Sequence, residues 1–474
     1  MKGSVVSGAT ESGPSHDWVG EVLLRGDDDE ICLWFDRPVS RAALRAMVAD
    51  HERDFTAAGL LPGGTIALRL PPSLTYVAML LAAWRLGAQV SLLDHRLTQH
   101  EVDRALDRIA AQYVVTATEV HSNRLRGYAD VLATALTPRD GRPARSDHAL
   151  IQFSSGSTGA SKVIGRTAAD LISELDRYAQ LPEFPRRGQR IVVLASMVHV
   201  LGLVGGLLHG LHAGVQLVFC ERLTADGILA AVAAGPEPTT VLGVPFHAEL
   251  LTSVVDKPDV PQLVRMIVAG ELVRPGVPGR FTSRFGVPLG TMYGMTEIGV
   301  IATDLSGVLW PSVQPAPGIQ VAVEGGELRL GMAASPYLGL SDPTRFADGW
   351  LRTRDAASID PTTGLVTILG RLDSQISVGG LKVDLTEVEQ TLAALPAVTE
   401  VVVVYDGDIE AYLAFSDDSA VDDIQPVITS ELAAFKRPRR LHVLDRLPRT
   451  ATGKLVRNPA ALREAADGRS APTP

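Results

Sequence analysis

The chain has 474 residues, 46% hydrophobic and 21% charged, with a formal net charge of −10. At about 150 residues per domain this length predicts two to four domains, and the acidic balance argues against a nucleic-acid binder. Its two cysteines, Cys32 and Cys220, lie in apolar runs and are expected to be buried thiols. This excludes a disulfide framework or a cysteine-based zinc site and fits a reducing cytoplasm, the expected location.

Both ends of the chain, residues 1–16 and 466–474, are rich in small residues and are expected to be disordered tails. The first fifteen residues lack the apolar core of a signal peptide. Residues 191–220 carry no Asp, Glu, Lys or Arg, but three histidines and five glycines divide this run. We therefore expect a strand, a helix and a second strand there rather than a membrane span.

Short apolar runs alternate with amphipathic segments along the first 370 residues. The predicted strands lie at 65–70, 90–93, 113–115, 149–153, 191–195 and 215–219, and the predicted helices at 76–86, 99–109 and 203–211. This alternation is typical of βαβ units and parallel sheets.

The pattern changes near residue 350, where 350–353 and 365–369 are predicted to form hairpin strands. Further on, the predicted elements are helices at 385–395 and 421–432 and strands at 398–405, 410–415 and 440–443. We therefore predict an α/β fold with a large N-terminal domain of parallel-strand subdomains, residues 17–372, and a small mobile α+β domain, residues 373–465. The active site is expected in the cleft between them.

Residues 154–162, Ser-Ser-Gly-Ser-Thr-Gly-Ala-Ser-Lys, follow the predicted strand at 149–153. A polar glycine-rich turn after a strand exposes backbone N–H groups, which suit the oxygens of a phosphate chain. The spacing differs from that of the common nucleotide loop, because two residues separate the last glycine from Lys162. A flexible surface turn is the alternative interpretation of this segment.

Five segments in chain order together resemble those of the adenylate-forming superfamily, which contains acyl-CoA synthetases, stand-alone adenylation domains and luciferases. They resemble, in turn, the phosphate loop, the adenine and magnesium motif, the ribose motif, the hinge and the C-terminal lysine loop of that family. Their positions are 154–162, 293–297, 349–355, 370–389 and 447–454, and the resemblance extends over residues 17–465.

The resemblance implies that the chain uses ATP and Mg²⁺ to convert a carboxylic acid to an acyl-adenylate, and then transfers the acyl group to a thiol, CoA being the preferred acceptor. A carboxylate and a triphosphate repel each other, so a cation such as Lys454 should lie between them. Mg²⁺ prefers carboxylate oxygen, which makes Glu297 its candidate ligand. The alternatives are a surface lysine and a carboxylate at a helix start. The implied catalytic residues are Thr158, His199, Glu297 and Lys454.

The same resemblance implies a nucleotide site. Tyr293 would offer a flat face to adenine, Asp355 would accept hydrogen bonds from the ribose hydroxyls, and Arg371 would contact ribose or phosphate. A core tyrosine and an aspartate in a turn are the alternatives. The implied nucleotide-binding residues are Ser154, Ser155, Gly156, Ser157, Thr158, Gly159, Lys162, Gly270, Glu271, Tyr293, Gly294, Met295, Thr296, Asp355, Arg371 and Lys454.

The implied acyl pocket is largely apolar, which favours an aromatic or medium aliphatic acid. His199 would lie beside the acyl carboxylate and Phe246 would form a wall, with a satisfied core histidine and a core phenylalanine as alternatives. The implied acyl-pocket residues are His199, Val200, Phe246, Met292 and Gly294.

Asp373 matches the hinge about which members of this family rotate their C-terminal domain after adenylation. That rotation would withdraw Lys454 and bring Gly379 and Gly380 in to line a tunnel for the thiol, since glycine has no side chain. A Gly-Gly hairpin turn is the structural alternative, and both interpretations can hold together.

The basic segment 435–440 is similar to that of CoA ligases and is interpreted equally as a site for the 3′-phosphate of CoA or as a solvated basic face. Other functions stay open: loading of carrier-protein phosphopantetheine, transfer to a non-thiol nucleophile, and nucleotide binding without catalysis on the same fold. We expect no nucleic-acid or membrane partner, and the sequence does not distinguish a monomer from a homodimer.

Three positions depart from the family pattern. Arg354 stands where a glycine usually precedes the ribose aspartate, and Val163 stands where a glycine usually follows the phosphate-loop lysine. Ser161 occupies a position where proline is common. None of these removes a group that the reaction needs.

Overall fold

The computed structural model describes residues 17–118, 127–128, 131–154, 162–254, 259–273, 275–372, 374–395, 398–415, 424–448 and 455–467. A search of these residues finds no helix with the length and apolar character needed to cross a bilayer. The expectations for the Ser154 side chain, Ser155, Gly156, Ser157, Thr158, Gly159, Asp373 and Lys454, and for residues 1–16 and 468–474 of the tails, lie outside the described residues. Ala466 and Asp467, placed in the C-terminal tail by the sequence analysis, end a helix.

The helices begin at polar caps in several cases. Thr98 Oγ1 accepts from the backbone N–H of Glu101, whose carboxylate accepts in return from the N–H of Thr98 at 2.9 Å. The helices are α1 (Arg41–Ala57), α2 (Leu74–Arg85), α3 (Gln99–Ile109), α4 (Ala168–Gln180), α5 (His209–Ala213), α6 (Ala225–Ala233), α7 (Pro245–Thr252), α8 (Val277–Phe285), α9 (Leu385–Ala393), α10 (Ile424–Glu431) and α11 (Pro459–Asp467). Two π-helical segments, Val19–Leu23 and Leu201–Leu208, accompany them.

The strands form the framework on which these helices pack. They are β1 (Ile31–Trp34), β2 (Pro38–Ser40), β3 (Thr65–Arg69), β4 (Gln89–Leu92), β5 (Tyr113–Ala117), β6 (Thr134–Pro138), β7 (His148–Ser154), β8 (Lys162–Thr167), β9 (Arg190–Val193), β10 (Gln216–Val218), β11 (Thr239–Gly243), β12 (Leu263–Ala269), β13 (Leu289–Met295), β14 (Gly299–Asp304), β15 (Ser312–Pro315), β16 (Val321–Glu324), β17 (Glu327–Gly331), β18 (Phe346–Ala347), β19 (Trp350–Ile359), β20 (Val366–Arg371), β21 (Gln375–Val378), β22 (Leu381–Asp384), β23 (Val398–Tyr405), β24 (Ile409–Phe415) and β25 (Arg440–Val443).

The N-terminal part contains two large sheets. One has the order β6-β5-β3-β4-β7-β8, with parallel pairing from β5 through β3 and β4 to β7. In the other, β9, β10, β11, β12 and β13 pair in parallel, and the sheet continues through antiparallel β14, β15, β20, β19, β17 and β16. Helix α2 is buried along Leu74–Trp84, because α1 covers one side of it and β3 and β4 the other. The buried parallel strands confirm the predicted α/β class.

The C-terminal part is a small α+β unit. Strands β23 and β24 pair antiparallel, β24 and β25 pair parallel, and β21 and β22 form a separate hairpin. Helices α9 and α10 contribute Val388, Leu392 and Ile428 to its buried core. This unit has its own hydrophobic core, as predicted, while the placement of the boundary at residue 373 stays a prediction.

Most predicted elements are confirmed, with small shifts at their ends. The helix at 99–109 and the strands at 398–405 and 440–443 have the predicted bounds. The predicted helix at 203–211 is a π-helical segment that continues into α5, and the strand at 350–353 extends to Ile359. Both cysteines are buried free thiols, as expected.

Candidate active site

A cavity of about 1620 Å³ opens where the parallel strands of the larger sheet end. Its lining comes from the segments that follow β9, β11 and β12, from the end of β13, and from β19, β20 and the β21–β22 hairpin. Carboxyl ends of parallel strands meet at one edge of a sheet, where ligands commonly bind. The described candidate residues that line the cavity are Lys162, His199, Val200, Phe246, Gly270, Glu271, Met292, Tyr293, Gly294, Met295, Thr296, Glu297, Asp355, Arg371, Gly379 and Gly380.

The candidate ribose carboxylate, Asp355, lies in the middle of β19, so the alternative of a turn residue is wrong. Tyr293 donates its hydroxyl to Asp355 Oδ2 at 2.5 Å, and Arg371 Nη1 donates to Oδ1 at 3.0 Å. Burial raises the pKa of Asp355, and the Arg371 guanidinium opposes that rise. Each carboxylate oxygen has two lone pairs, so Asp355 can still accept further hydrogen bonds from a ligand in the cavity.

Arg354, the departure beside the ribose motif, has a left-handed backbone with φ of 63°. That conformation accounts physically for a glycine at this position in related sequences, because a Cβ atom is disfavoured there. Two hydrogen bonds hold Arg354 in place: its N–H donates to Glu327 at 3.0 Å and its guanidinium to the carbonyl of Thr344 at 2.9 Å. The side chain is thereby directed to Thr344 rather than to Asp355.

Glu297 lies in the turn between β13 and β14, so the alternative of a carboxylate at a helix start is wrong. It is buried and accepts a hydrogen bond from the hydroxyl of Tyr337 at 3.0 Å. Burial raises the pKa of Glu297, while the Tyr337 hydroxyl and the charge of Lys162 act in the opposite direction. Lys162 Nζ lies 5.8 Å from the centre of the Tyr337 ring.

The donor set suits magnesium held mainly by a substrate. Among the described residues, no group of three or more His, Cys, Asp or Glu side chains is placed to hold a metal ion. Mg²⁺ is usually bound by one or two carboxylates, substrate phosphates and several waters rather than by an all-protein cage. A single buried carboxylate that faces a cavity, as Glu297 does, fits that mode of binding.

His199 follows β9 and lines the cavity. Its buried Nε2 has no hydrogen-bond partner within the described ranges, which does not support the alternative of a satisfied core histidine. Burial lowers the pKa of His199, so the imidazole is neutral near pH 7. A neutral ring with an unpartnered nitrogen can donate to or accept from a ligand.

Apolar side chains line the adjacent part of the cavity, where Val200 and Met292 lie. The side chain of Phe246 is 55% exposed, so the alternative of a core phenylalanine is wrong. Next to it, His247 Nδ1 accepts from the N–H of Val244 at 3.1 Å, and burial lowers its pKa to about 4. His247 is therefore neutral near pH 7, with its proton on Nε2.

Gly379 and Gly380 form the turn of the β21–β22 hairpin, and both have positive φ, 56° and 81°. The predicted hairpin is confirmed, since such backbone angles are those of a two-residue glycine turn. The hairpin contacts the N-terminal part directly: Gly380 N–H donates to Glu271 at 2.6 Å, and Lys382 Nζ donates to the carbonyl of Gly270 at 2.6 Å. Residues of both parts therefore line one cavity.

Lys436 and Arg437 of the basic segment 435–440 make contacts within the protein that neither interpretation of the sequence included. Lys436 is buried and lies 2.9 Å from Glu101 and 3.1 Å from Glu387, so it is neither a solvated cation nor exposed to a phosphate. Arg437 donates to two backbone carbonyls of the helix α10 region. Both interpretations are wrong for Lys436.

Two cavity residues that the sequence analysis did not single out form hydrogen bonds to predicted site residues. Tyr337 reaches Glu297 from a segment 40 residues away, and Lys382 spans from the hairpin to Gly270. Lys382 follows the Gly-Gly turn by two residues, which was a usable signal for a residue near the tunnel. Tyr337 had no such local signal, because its placement depends on a contact with β8.

Comparison with known proteins agrees with the sequence motifs. The chain is 29% identical to a p-hydroxybenzoic acid–AMP ligase of Mycobacterium tuberculosis, over 91% of this chain and 67% of that protein. It is 29% identical to a benzoate–CoA ligase of Thauera aromatica, over 69% of this chain and 68% of that one. Among solved structures, an o-succinylbenzoate CoA synthetase double mutant from Bacillus subtilis has a TM-score of 0.77 at 23% identity, covering 92% of this chain and 96% of that one.

Two family models match the chain. The model of AMP-binding enzymes matches residues 25–330, and that of the AMP-binding enzyme C-terminal domain matches residues 387–454. The first match alone spans more than half of the 474 residues. The resemblance to adenylate-forming enzymes is therefore confirmed, and the protein belongs to the AMP-binding enzyme family.

Proposed function

We propose that this protein activates a carboxylic acid with ATP and transfers the acyl group to CoA. In the first step a carboxylate oxygen attacks the α-phosphorus of ATP, forming an acyl-adenylate and displacing pyrophosphate. In the second step the thiolate of CoA attacks the acyl carbonyl, forming a thioester and displacing AMP. The observation that supports this proposal most strongly is that a single cavity is lined by the buried carboxylates Glu297 and Asp355, the neutral His199 and the Gly379–Gly380 turn.

The nucleotide binds along β19, β20 and the end of β13. Asp355 accepts from the ribose hydroxyls, and the Arg371 guanidinium, which donates to Asp355, would also be available to contact ribose or phosphate. Lys162 supplies a compact charge for phosphate oxygens at the start of β8. Glu297 would hold Mg²⁺, which offsets the negative charge of the pyrophosphate leaving group.

The acid binds beside His199, with its apolar part against Val200, Phe246 and Met292. His199 is neutral near pH 7, so it can donate a hydrogen bond to the carboxylate without holding it as a tight ion pair. This lining supports an aromatic or medium aliphatic acid. The named activities of the two curated relatives, on p-hydroxybenzoic acid and benzoate, support the aromatic class.

The thiol reaches the adenylate past the β21–β22 hairpin. A Cβ atom added to Gly380 would collide with Val244, whereas nothing lies within 4 Å of one added to Gly379, so the open space at this turn is beside Gly379. The benzoate–CoA ligase to which this chain is similar supports CoA as the acceptor. Transfer to the phosphopantetheine of a carrier protein is the second candidate, because the same tunnel would accept that arm.

Pyrophosphate exchange into ATP tests the first step. A panel of benzoates, hydroxybenzoates, aryl-acetic acids and C4–C10 fatty acids is offered with Mg²⁺, and exchange is expected with at least one aromatic acid. No exchange with any acid between pH 6 and pH 9 would contradict the proposal and favour nucleotide binding without catalysis. With an active acid in hand, adding CoA or a phosphopantetheinylated carrier protein and detecting the thioester by mass identifies the acceptor.

A further inference from the structure

We infer that Tyr337 is a positioning residue for the metal carboxylate, which it ties to the phosphate-binding strand. This inference rests on the proposed function, because it assigns to Tyr337 the orientation of Glu297 toward the Mg²⁺ that accompanies ATP. Tyr337 lies outside the five motifs of the sequence and acts through Glu297 rather than on the substrate.

The contact itself is a buried pair. Tyr337 and Glu297 are both buried, and the tyrosine hydroxyl lies 3.0 Å from Glu297 Oε1. That hydrogen bond engages Oε1 and thereby restricts the rotation of the carboxylate.

The backbone of Tyr337 is held against β8. Gly165 N–H donates to the carbonyl of Pro336 at 3.0 Å, and Leu338 N–H donates to the carbonyl of Val163 at 2.8 Å. These two bonds flank an antiparallel bridge between Ile164 and Tyr337. The ring of Tyr337 is therefore placed by the strand that begins at Lys162.

The ring also contacts Lys162. The ammonium lies 5.8 Å from the ring centre, within the range of a cation–π interaction. One side chain thus bridges the phosphate-binding lysine and the metal carboxylate, which come from different sheets. Mutation of a residue that hydrogen-bonds to a metal ligand without touching the metal typically lowers metal affinity or activity about 10–100-fold.

The test is a direct measurement of metal affinity with Tyr337→Phe, which removes the hydroxyl and keeps the ring. The probe is Mn²⁺, titrated by electron paramagnetic resonance into the full-length protein saturated with α,β-methylene-ATP, so that no turnover occurs. We expect the Kd for Mn²⁺ to rise about 10-fold in Tyr337→Phe. The affinity for the analogue without metal and the KM for the acid should stay within about twofold, because the ring and the acyl pocket are unchanged.

Tyr412→Phe is the matched control. Tyr412 is a buried tyrosine that donates to a buried carboxylate, Glu410, at 2.8 Å, but it lies in the C-terminal sheet. A general effect of deleting a buried hydroxyl would appear in both variants. We expect Tyr412→Phe to lower thermal stability without changing the Kd for Mn²⁺.

A double-mutant cycle with Glu297→Gln completes the test. If Tyr337 acts through Glu297, adding Tyr337→Phe to Glu297→Gln changes the Kd for Mn²⁺ little further, whereas two independent effects would multiply and overturn the inference. An unchanged Kd for Mn²⁺ in Tyr337→Phe would also overturn it. If Tyr337→Phe fails to fold, as judged by circular dichroism, Tyr337→Trp replaces it, because tryptophan keeps a ring and an N–H donor. A Kd for Mn²⁺ in Tyr337→Trp as weak as that in Glu297→Gln would count against the inference. Absence of Mn²⁺–nucleotide binding in the unaltered protein would instead contradict the proposed function.

Discussion

The nucleotide side of the cavity and its C-terminal side are held together in different ways. Asp355 and Arg371 are directly paired residues of β19 and β20, and Tyr293 belongs to β13 of the same sheet. The hairpin on the other side meets the N-terminal part through Gly380 and Lys382, without a shared sheet. One side is fixed by backbone ladders and the other by a few contacts between separate units.

This difference has a consequence for the two proposed steps. A ladder of backbone hydrogen bonds persists unless the sheet itself unfolds, whereas a few side-chain contacts can break without loss of the fold. Nucleotide recognition should therefore be common to both half-reactions, while contacts of the C-terminal unit should serve one half-reaction at a time. Substitutions on the nucleotide side are therefore expected to impair both half-reactions, and substitutions on the C-terminal side to impair only one.

The largest separation is expected from Lys454→Ala. The resemblance to adenylate-forming enzymes assigns Lys454 to the adenylation step, where a cation between two anions lowers the barrier. We expect pyrophosphate exchange to fall about 10³-fold, with thioester formation from a preformed acyl-adenylate little changed. Equal loss of both half-reactions would contradict the assignment of Lys454 to one state of the C-terminal domain.

Gly380→Ala should impair thioester formation and spare adenylation, the opposite of the effect expected for Lys454→Ala. The new Cβ would collide with Val244 Cγ1, and φ of 81° is unfavourable for alanine. We expect thioester formation to fall about 100-fold, because small displacements near reacting groups have effects of that order, with pyrophosphate exchange retained. Both rates are measured with the same acid.

Gly379→Ala is the control for Gly380→Ala. Gly379 also has positive φ, but nothing lies within 4 Å of a Cβ added there. Its effect on the thioester step should be the smaller of the two, since backbone strain remains and the collision is absent. A larger effect at Gly379 would show that strain in the turn matters more than the contact with Val244.

The sequence was sufficient for the parts of the site that lie in local motifs. Glu297, Asp355 and Gly379 were found because each lies next to a recognisable run of residues, and all three line the same cavity. The hydrophobic periodicity likewise located β3, β4, β5 and β7 of one sheet and β9, β10, β19 and β20 of the other, but not the remaining strands.

Long-range contacts could not be predicted in this way. Tyr337 meets Glu297 because its segment pairs with β8, and no pattern within 336–338 indicates that pairing. Lys436 was interpreted as part of a basic face because its two carboxylate partners lie far away in the chain, on α3 and α9. Such contacts depend on how separate elements pack, which periodicity does not determine.

Asp355→Asn should affect both half-reactions, since the nucleotide is bound throughout. Asparagine keeps one acceptor oxygen but loses the charge that pairs with Arg371 and accepts from Tyr293. We expect ATP and AMP to bind about 30-fold more weakly, the size of losing hydrogen bonds to a charged group. Isothermal titration measures both affinities, and Asp360→Asn, in the exposed turn after β19, is expected to leave them unchanged. A loss of affinity for ATP but not for AMP would contradict a ribose contact.

The smallest of these effects is expected at Lys436, which joins the two parts of the chain through Glu101 on α3 and Glu387 on α9. Burial alone would lower the pKa of Lys436, but the two carboxylates outweigh it and raise the pKa, so the ammonium stays charged. Lys436→Met would leave the two partly buried carboxylates of Glu101 and Glu387 near each other without a cation, which is unfavourable. The Lys436–Glu101 ion pair joins the C-terminal part to the N-terminal part, as the β21–β22 hairpin does. We therefore expect thioester formation to fall about 10-fold in Lys436→Met, with pyrophosphate exchange retained.

The double variant Glu101→Gln/Lys436→Met tests that explanation. Removing one carboxylate relieves the repulsion, and glutamine retains an oxygen that can accept from the N–H of Thr98 at the start of α3. Thioester formation should therefore recover toward the rate of the unaltered protein. If the double variant formed the thioester more slowly than Lys436→Met, the Lys436–Glu101 pair would act on the stability of the N-terminal and C-terminal parts rather than on their mutual placement. The contrast between the two sides of the cavity would then depend on the hairpin alone.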